Sequence, residues 1–402
     1  MPSESQIPTA SSAAYLKRRR FATRLALFYA AVFGLLGCHV PFFPVWLRAV
    51  GIDAGWIGLI AAVPSVTRFT VLPVVTSLAE RYAMVRGALI VTAAVTALGF
   101  AVIGTQHLPL MVFLIYAGIA LAWTPMIPLT DAYALHGVAR YRIDYGPVRL
   151  WGSAAFVAGA LGCGWLADAI PAQHLIWAIT AVAALGALIS LGLQPLDRHQ
   201  AKAASPQGSA ALLRDRGFLA IIAASALIQG SHVVYYVFGS ITWHSAGLNG
   251  VTIAGLWALG VIAEIILFAL SPRFTLQPVT LVVIGGLGAV ARWLITAQEP
   301  PVAALAVVQL AHGLSYGLTQ LGIMGLMVRH VPIPSITRAQ GYLSACGGIV
   351  ASSASVVSGA VYARYGLGAY YAMAVMALAG AAIIWSARRN LARQPQSEAS
   401  GG

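Results

Sequence analysis

The sequence predicts an all-α integral membrane protein with twelve transmembrane helices in two pseudo-symmetric six-helix bundles. Three observations carry this. First, 59% of the 402 residues are hydrophobic and 9% are charged, where a soluble domain carries about 25% charged residues. Second, twelve apolar runs approach the ~20 residues that cross a hydrocarbon core. They are 25–47, 54–79, 87–104, 109–135, 148–170 and 174–193, then 218–243, 250–271, 277–297, 301–328, 338–363 and 368–387. Third, the basic residues fall in every other loop.

Lys17, Arg18, Arg19, Arg20 and Arg24 precede the first run, and Arg81 and Arg86 follow the second. Arg140, Arg142 and Arg149 follow the fourth, and Arg198, Lys202, Arg214 and Arg216 the sixth. Arg273 follows the eighth, Arg329 and Arg338 the tenth, and Arg388, Arg389 and Arg393 the last. The opposite loops hold only Arg48 and Arg364. This positive-inside pattern predicts both termini in the cytoplasm of a cell carrying the protein in its inner membrane, and an even number of spans. The net charge of +13 is thereby a matter of topology and excludes nucleic acid as the expected partner. The basic cluster precedes a run too long for a secretory signal, so the first span is expected to be retained. Cys38, Cys163 and Cys346 lie in separate spans, without disulfide or zinc spacing.

The order expected along the chain is a cytoplasmic tail over 1–24, a bundle over 25–193, a linker over 194–216, a second bundle over 217–387 and a tail over 388–402. The first twenty residues are Ser/Ala-rich and then basic, and are expected to be mobile, as is the chain end from 394. The linker is the one long polar interruption, with Pro195, Asp197, Arg198, Lys202, Pro206, Gly208 and Arg214. A faint echo relates the halves. Gly51-Ile52-Asp53 with Ile57 recurs 196 residues later as Gly247-Leu248-Asn249 with Ile253. Asp53 and Asn249 are then expected to cap the helices that follow; a chance likeness of two glycine-bearing loops is the alternative. In the fifth span Gly159, Gly162 and Gly164, with Ala155 and Ala158, form a small-residue face suited to close helix packing.

The functional reading begins with charges in the wrong solvent. Asp131, Glu264, Arg68 and Arg292 lie inside apolar runs, where each charge costs about 2.5–3.5 kcal/mol at the bilayer centre. Such residues persist where they pair or line a watery path, which predicts a carrier. In the tenth span Gln309, His312, Tyr316 and Gln320 follow helical spacing and form one polar face. Glu264 lies at mid-depth in the eighth span, and Arg292 in the ninth is long enough to complete a Glu264–Arg292–His312 cluster. A static ion pair fits that pattern equally. The seventh span offers Gln229, His232, Tyr235 and Tyr236 at helical spacing, suited to a ligand with a ring and a polar end, or simply to packing. Pro125 and Pro128 should bend or loosen the helix that carries Asp131. Asp131 and Arg149 lie near span ends, where solvated or snorkelling roles also serve. Arg68 needs an anionic partner, and Asp131 is a candidate. No Walker loop, paired-histidine metal motif or Gly-flanked nucleophilic serine is present, so neither an enzyme nor an ATP-driven pump is expected, and no cofactor beyond a coupling proton.

Several segments resemble a known group. Pro41-Phe42-Phe43-Pro44-Val45-Trp46-Leu47 is similar to the first span of the lactose permease branch of the major facilitator superfamily. Pro128-Leu129-Thr130-Asp131-Ala132, Asp144-Tyr145-Gly146, Val148-Arg149-Leu150-Trp151-Gly152-Ser153 and Leu256–Glu264 resemble the 3-phenylpropionate permeases, as does the aromatic stretch from Gln229 to Trp243. The resemblance implies a monomeric proton-coupled symporter working by alternating access. Asp131 and Arg149 match a substrate-holding acid and arginine, and Glu264, Arg292 and His312 match the acid, arginine and histidine of substrate binding and proton coupling. Ser315 stands where that branch carries a proton-bearing glutamate, which leaves Glu264 or Asp131 to carry the proton. The loop signature between the second and third spans is degraded: Glu80, Arg81 and Arg86 remain, but Thr76 and Ala83 replace its glycines. The expected partners are a small organic acid (an aromatic carboxylate), protons and the lipid bilayer. Asp131, Arg149, Arg292, Gln309, His232, Tyr235 and Tyr236 are expected to bind substrate, with Glu264 and His312 in the protonation step. A sugar or nucleoside symporter, or an exporter, is the alternative.

Overall fold

The computed structural model describes residues 10–81, 84–143, 145–196, 212–331 and 336–392, all of them helix or short connection. The first half holds α1 (Ala10–Ala49), α2 (Ala54–Thr70), α3 (Leu72–Arg81), α4 (Val85–Ile103), α5 (Pro109–Tyr141), α6 (Tyr145–Ala169) and α7 (Leu175–Leu191). The second holds α8 (Arg216–Gly230), α9 (Val233–Ser245), α10 (Gly250–Leu270), α11 (Pro278–Thr296), α12 (Val302–Leu310), α13 (Thr319–His330), α14 (Ile336–Tyr365) and α15 (Ala369–Ala392). Most of the expected linker, including Asp197, Arg198, Lys202, Pro206 and Gly208, lies outside the described residues, as do Ala83, Asp144 and the chain beyond 392.

Among the described residues ten stretches are long and apolar enough to cross a membrane. One of them, Ala339–Leu391, takes in both α14 and α15. The second expected span is not among the ten, because a turn at Val71 divides it into α2 and α3. The arrangement is consistent with twelve crossings. Helix α1 starts at Ala10, well before the expected span, and carries the exposed basic cluster from Lys17 to Arg20 as helix. Helix α5 stays one continuous helix through Pro125 and Pro128, where a bend or a loosened segment is expected, so the prolines do not interrupt it.

Within the first half α1 packs on α6 and α7, α4 on α5 and α7, and α2 on α5; within the second α15 packs on α8 and α11, and α14 on α8. The halves meet where α2 packs on α14, α6 on α10 and α1 on α9.

The internal echo is structural. Gly51 and Gly247 take φ of +88° and +85°, a left-handed conformation that glycine adopts without the steric cost of a Cβ. Asp53 accepts from the Trp56 amide at 3.0 Å and Asn249 from the Thr252 amide at 2.8 Å, capping α2 and α10 in the same way. The backbone bonds of the two turns correspond bond for bond, from Val50–Trp46 and Ala246–Thr242 to Ile57–Asp53 and Ile253–Asn249.

Two spans are interrupted in mid-membrane. The seventh breaks at Ser231–His232, between α8 and α9. The tenth breaks at Ala311, and a π-helical turn over Gly313–Leu318 joins α12 to α13. Irregular backbone at membrane depth is tolerated only where protein or a watery cavity covers it, and π turns favour functional sites. Both breaks carry a histidine.

At the face opposite the termini the halves touch at backbone distance. A Cβ on Gly164 of α6 would sit 2.5 Å from the Gly250 carbonyl oxygen, and one on Gly359 of α14 would sit 2.7 Å from that of Ala54. Gly159 likewise admits the backbone of α1 at Gly34, whereas Gly162 faces open space. The small-residue face of the fifth span is therefore a packing face at two of its three glycines. Beside this crossing the Asp168 carboxylate accepts from the amides of Gly250 at 2.5 Å and Val251 at 3.1 Å. One half thus supplies the cap for a helix of the other.

Candidate functional site

The break in the tenth span places three polar groups around one guanidinium. Arg292, 1% exposed, donates from Nη1 to His312 Nδ1 at 2.8 Å and from Nη2 to Gln309 Oε1 at 2.9 Å. Nη1 also reaches Ser315 Oγ at 3.4 Å. An arginine only donates, so His312 Nδ1 must be the unprotonated nitrogen and neutral His312 carries its hydrogen on Nε2. That nitrogen lies 3.8 Å from Glu264 Oε2, too far for a direct hydrogen bond but close enough for one small shift to make it. Glu264 itself is partly open, with 26% of its side chain exposed.

His232, fully buried, continues the network. Its Nδ1 donates to the Ile228 carbonyl at 3.1 Å, which leaves Nε2 to accept from the Ser315 hydroxyl at 3.2 Å. Tyr235 lies under Arg292, whose guanidinium carbon is 4.5 Å from the ring centre, and stacks on Trp257 at 4.6 Å. Tyr316 stacks on His312 at 5.2 Å. Tyr236 is half-buried, beside Trp257 and His312. Gln320 reaches Gln229 at 3.5 Å.

The Glu264–Arg292–His312 cluster expected from the sequence is thus assembled, with Gln309 and His232 in it. Tyr235 is covered by Arg292 and Trp257 and supports the site, which leaves Tyr236 and Tyr316 as the more accessible rings. Ser315, read in the sequence only as a missing glutamate, links Arg292 to His232.

In the first half Tyr29 of α1 donates to Asp131 Oδ1 at 2.6 Å. The Arg149 guanidinium lies over the rings of Phe33 at 4.0 Å and Tyr29 at 5.5 Å, a cation–π arrangement. Asp131 and Arg149 are each partly exposed and share Tyr29, which sequence reasoning missed: a lone tyrosine in a basic-flanked first span carries no signal. Arg68 is exposed, makes no ion pair among the described residues, and acts electrostatically on Tyr316 in the other half. Asp131, the candidate partner of Arg68, makes no ion pair with it among the described residues.

Charged and polar groups gathered among membrane-spanning helices of both halves are the make-up of a polytopic membrane transporter. The chain matches the model of the MFS_1 like family over residues 22–373, and it belongs to that family within the major facilitator superfamily. It is 31% identical to the probable 3-phenylpropionic acid transporter of Escherichia coli (strain K12), over 88% of this chain and 94% of that one. It is 27% identical to the maltose permease of Geobacillus stearothermophilus, over 87% and 90%. Among solved structures, the nucleoside transporter NupG superposes with a TM-score of 0.77 at 16% identity, covering 91% of this chain and 98% of that one. A bacterial homolog of the human lysosomal transporter Spinster, in an inward-facing and occupied conformation, gives 0.70 at 15%, covering 93% and 98%.

Proposed function

We propose that the protein is a proton-coupled symporter of a small organic acid, an aromatic carboxylate such as 3-phenylpropionate, moved by alternating access. The observation that carries the reading is Arg292. It is buried, makes no ion pair among the described residues, and its Nε lacks a hydrogen-bond partner. An unpaired buried cation is strongly destabilising, and a substrate carboxylate is the anion that relieves it. Gln309, His312 and Ser315 hold the fork; His232 and Tyr235 hold it from behind. Tyr236 and Tyr316 flank the ring, and Arg149 with Asp131 meets the substrate from the first half. Glu264 takes the proton, and His312 passes the effect to Arg292 through its two nitrogens. The protein works as a monomer in the inner membrane with both termini in the cytoplasm, and the face where the halves touch, with the Asp168 cap, is the outer one and is sealed in this state.

The test is uptake of labelled 3-phenylpropionate into proteoliposomes, with and without an inward proton gradient. Gradient-driven accumulation that Glu264→Gln abolishes is the expected result. Absence of uptake by folded protein sinks the aromatic-acid reading, and competition by uncharged sugars or nucleosides would replace it with the sugar or nucleoside alternative.

A further inference from the structure

The 196-residue echo reaches beyond the two turns. Helices α2 and α10 start from equivalent caps and run unbroken, so positions count alike along both. Arg68 and Glu264 lie the same number of residues beyond Ala54 and Gly250, about 21 Å down each helix at about 1.5 Å per residue. Rotation corresponds as well as depth. Gly58 meets Ser355 and Gly359 of the opposite half, and its counterpart Ala254 meets Gly164. At about 100° per residue, Arg68 and Glu264 are both turned about 80° to one side of that contact. Up to Arg68 and Glu264, the exposed large apolar residues, Leu59 and Val66 on α2 and Val251 and Ile262 on α10, lie about 60–100° to the other side. Arg68 and Glu264 are therefore equivalent positions of the internal repeat, both directed away from the exposed apolar residues that precede them, with opposite charge. Both bear electrostatically on the Tyr316 hydroxyl.

We propose that Arg68 is the counter-charge of Glu264, each supplied by its own half. With Glu264 ionised the two charges cancel in the empty carrier; with Glu264 protonated, Arg68 is released to hold the substrate's carboxylate. A proton and an anion then enter together, because each makes room for the other. The inference rests on the proton-coupled reading of Glu264 and adds a second cation to it. The other groups facing Glu264 are His312 and Tyr316 from the tenth span and Tyr236 from the seventh. On α6, Arg149 is held over Phe33 and Asp168 at the far end of α10.

Two measurements on purified full-length protein test it. The first is binding of 3-phenylpropionate at pH 6 and pH 8. Wild type and Arg68→Lys should bind about tenfold more weakly at the higher pH, where Glu264 recaptures the cation. Glu264→Gln should bind tightly at both, and Arg68→Gln weakly at both. pH dependence surviving in Glu264→Gln, or unchanged binding in Arg68→Gln, overturns the proposal. The second needs no substrate: pH-difference infrared spectroscopy of the protein in lipid. The carboxyl band absent from Glu264→Gln should shift its midpoint in Arg68→Gln and regain it in Arg68→Lys; a midpoint indifferent to Arg68 overturns the pairing. Wild type failing to bind 3-phenylpropionate while the infrared result holds would sink the substrate reading and leave the pair standing.

Discussion

The two halves share a frame and divide the chemistry. Their turns at Gly51 and Gly247 correspond, yet equivalent positions hold different groups. His39 of α1 corresponds to Tyr235 of α9. His39 stacks on Phe43 at 4.7 Å and meets the Tyr116 hydroxyl at 3.1 Å, inside an aromatic box with Phe100 and Trp123. Tyr235 instead lies beneath a guanidinium. The second half fixes its arginine with three neutral partners at 1% exposure; the first leaves Arg149 partly exposed on two aromatic faces. One half holds its cation in a fixed hydrogen-bonded fork, and the other holds its cation on aromatic faces.

The largest effect should separate the two arginines. Arg292→Ala is expected to lower uptake about 100-fold, since truncating a buried, hydrogen-bonded charge costs about 2–5 kcal/mol. Arg292→Lys should recover little, because an ammonium cannot serve the fork that reaches His312 and Gln309. Arg149→Lys should stay within about tenfold, since cation–π contacts at exposed sites contribute about 0.5–1 kcal/mol. Equal losses at both positions in proteoliposome uptake would erase the contrast between the halves.

Tyr29→Phe tests whether the first half is organised at all. Losing a hydrogen bond to a charged group costs about 1.5–3 kcal/mol, so KM should rise about tenfold with kcat little changed. An unaltered KM would reduce the Tyr29–Asp131 bond to packing. Asp168→Ala tests the contact between the halves. Removing a cap costs about 1 kcal/mol, and the sealed face should open about fivefold more often. A cysteine at Leu248, in a background lacking the three native thiols, would report this through its labelling rate.

An effect of the same size is confined to one half. Asp215 caps α8 through the amides of Gly217 and Phe218 and bonds His330 at 2.9 Å. Burial pushes the Asp215 carboxyl up, but the bonds from His330 and the two amides outweigh it and hold it below the usual carboxylate range. Its stabilisation is therefore full above about pH 3.9 and is lost as pH falls through the lower folded value. Asp215→Ala should cost about 1 kcal/mol at neutral pH, and its thermal midpoint should converge with wild type in acid.

Much of the fold was legible because hydrophobic length and loop charge are one-dimensional signals. The Glu264–Arg292–His312 cluster was legible for a related reason: charged and polar side chains in mid-span are rare, so each is conspicuous. What escaped depended on ordinary residues meeting across long separations. Tyr29 reaches Asp131 from 102 residues away, Asp168 finds Gly250 from 82, and Ser315 joins Arg292 to His232 only because a π turn re-aims it. Arg68 was conspicuous, but Asp131, its candidate partner, makes no ion pair with it among the described residues, and the rotation of α2 about its contact with α14 is an angle that composition does not carry.

The Asp168 cap has a spectroscopic consequence. Because the carboxylate and the amides it holds belong to different halves, separation of the halves and exposure of Gly250 and Val251 are one event. Hydrogen exchange at these two amides should therefore follow the opening equilibrium residue by residue, without a label, and should slow when a bound ligand favours the sealed state.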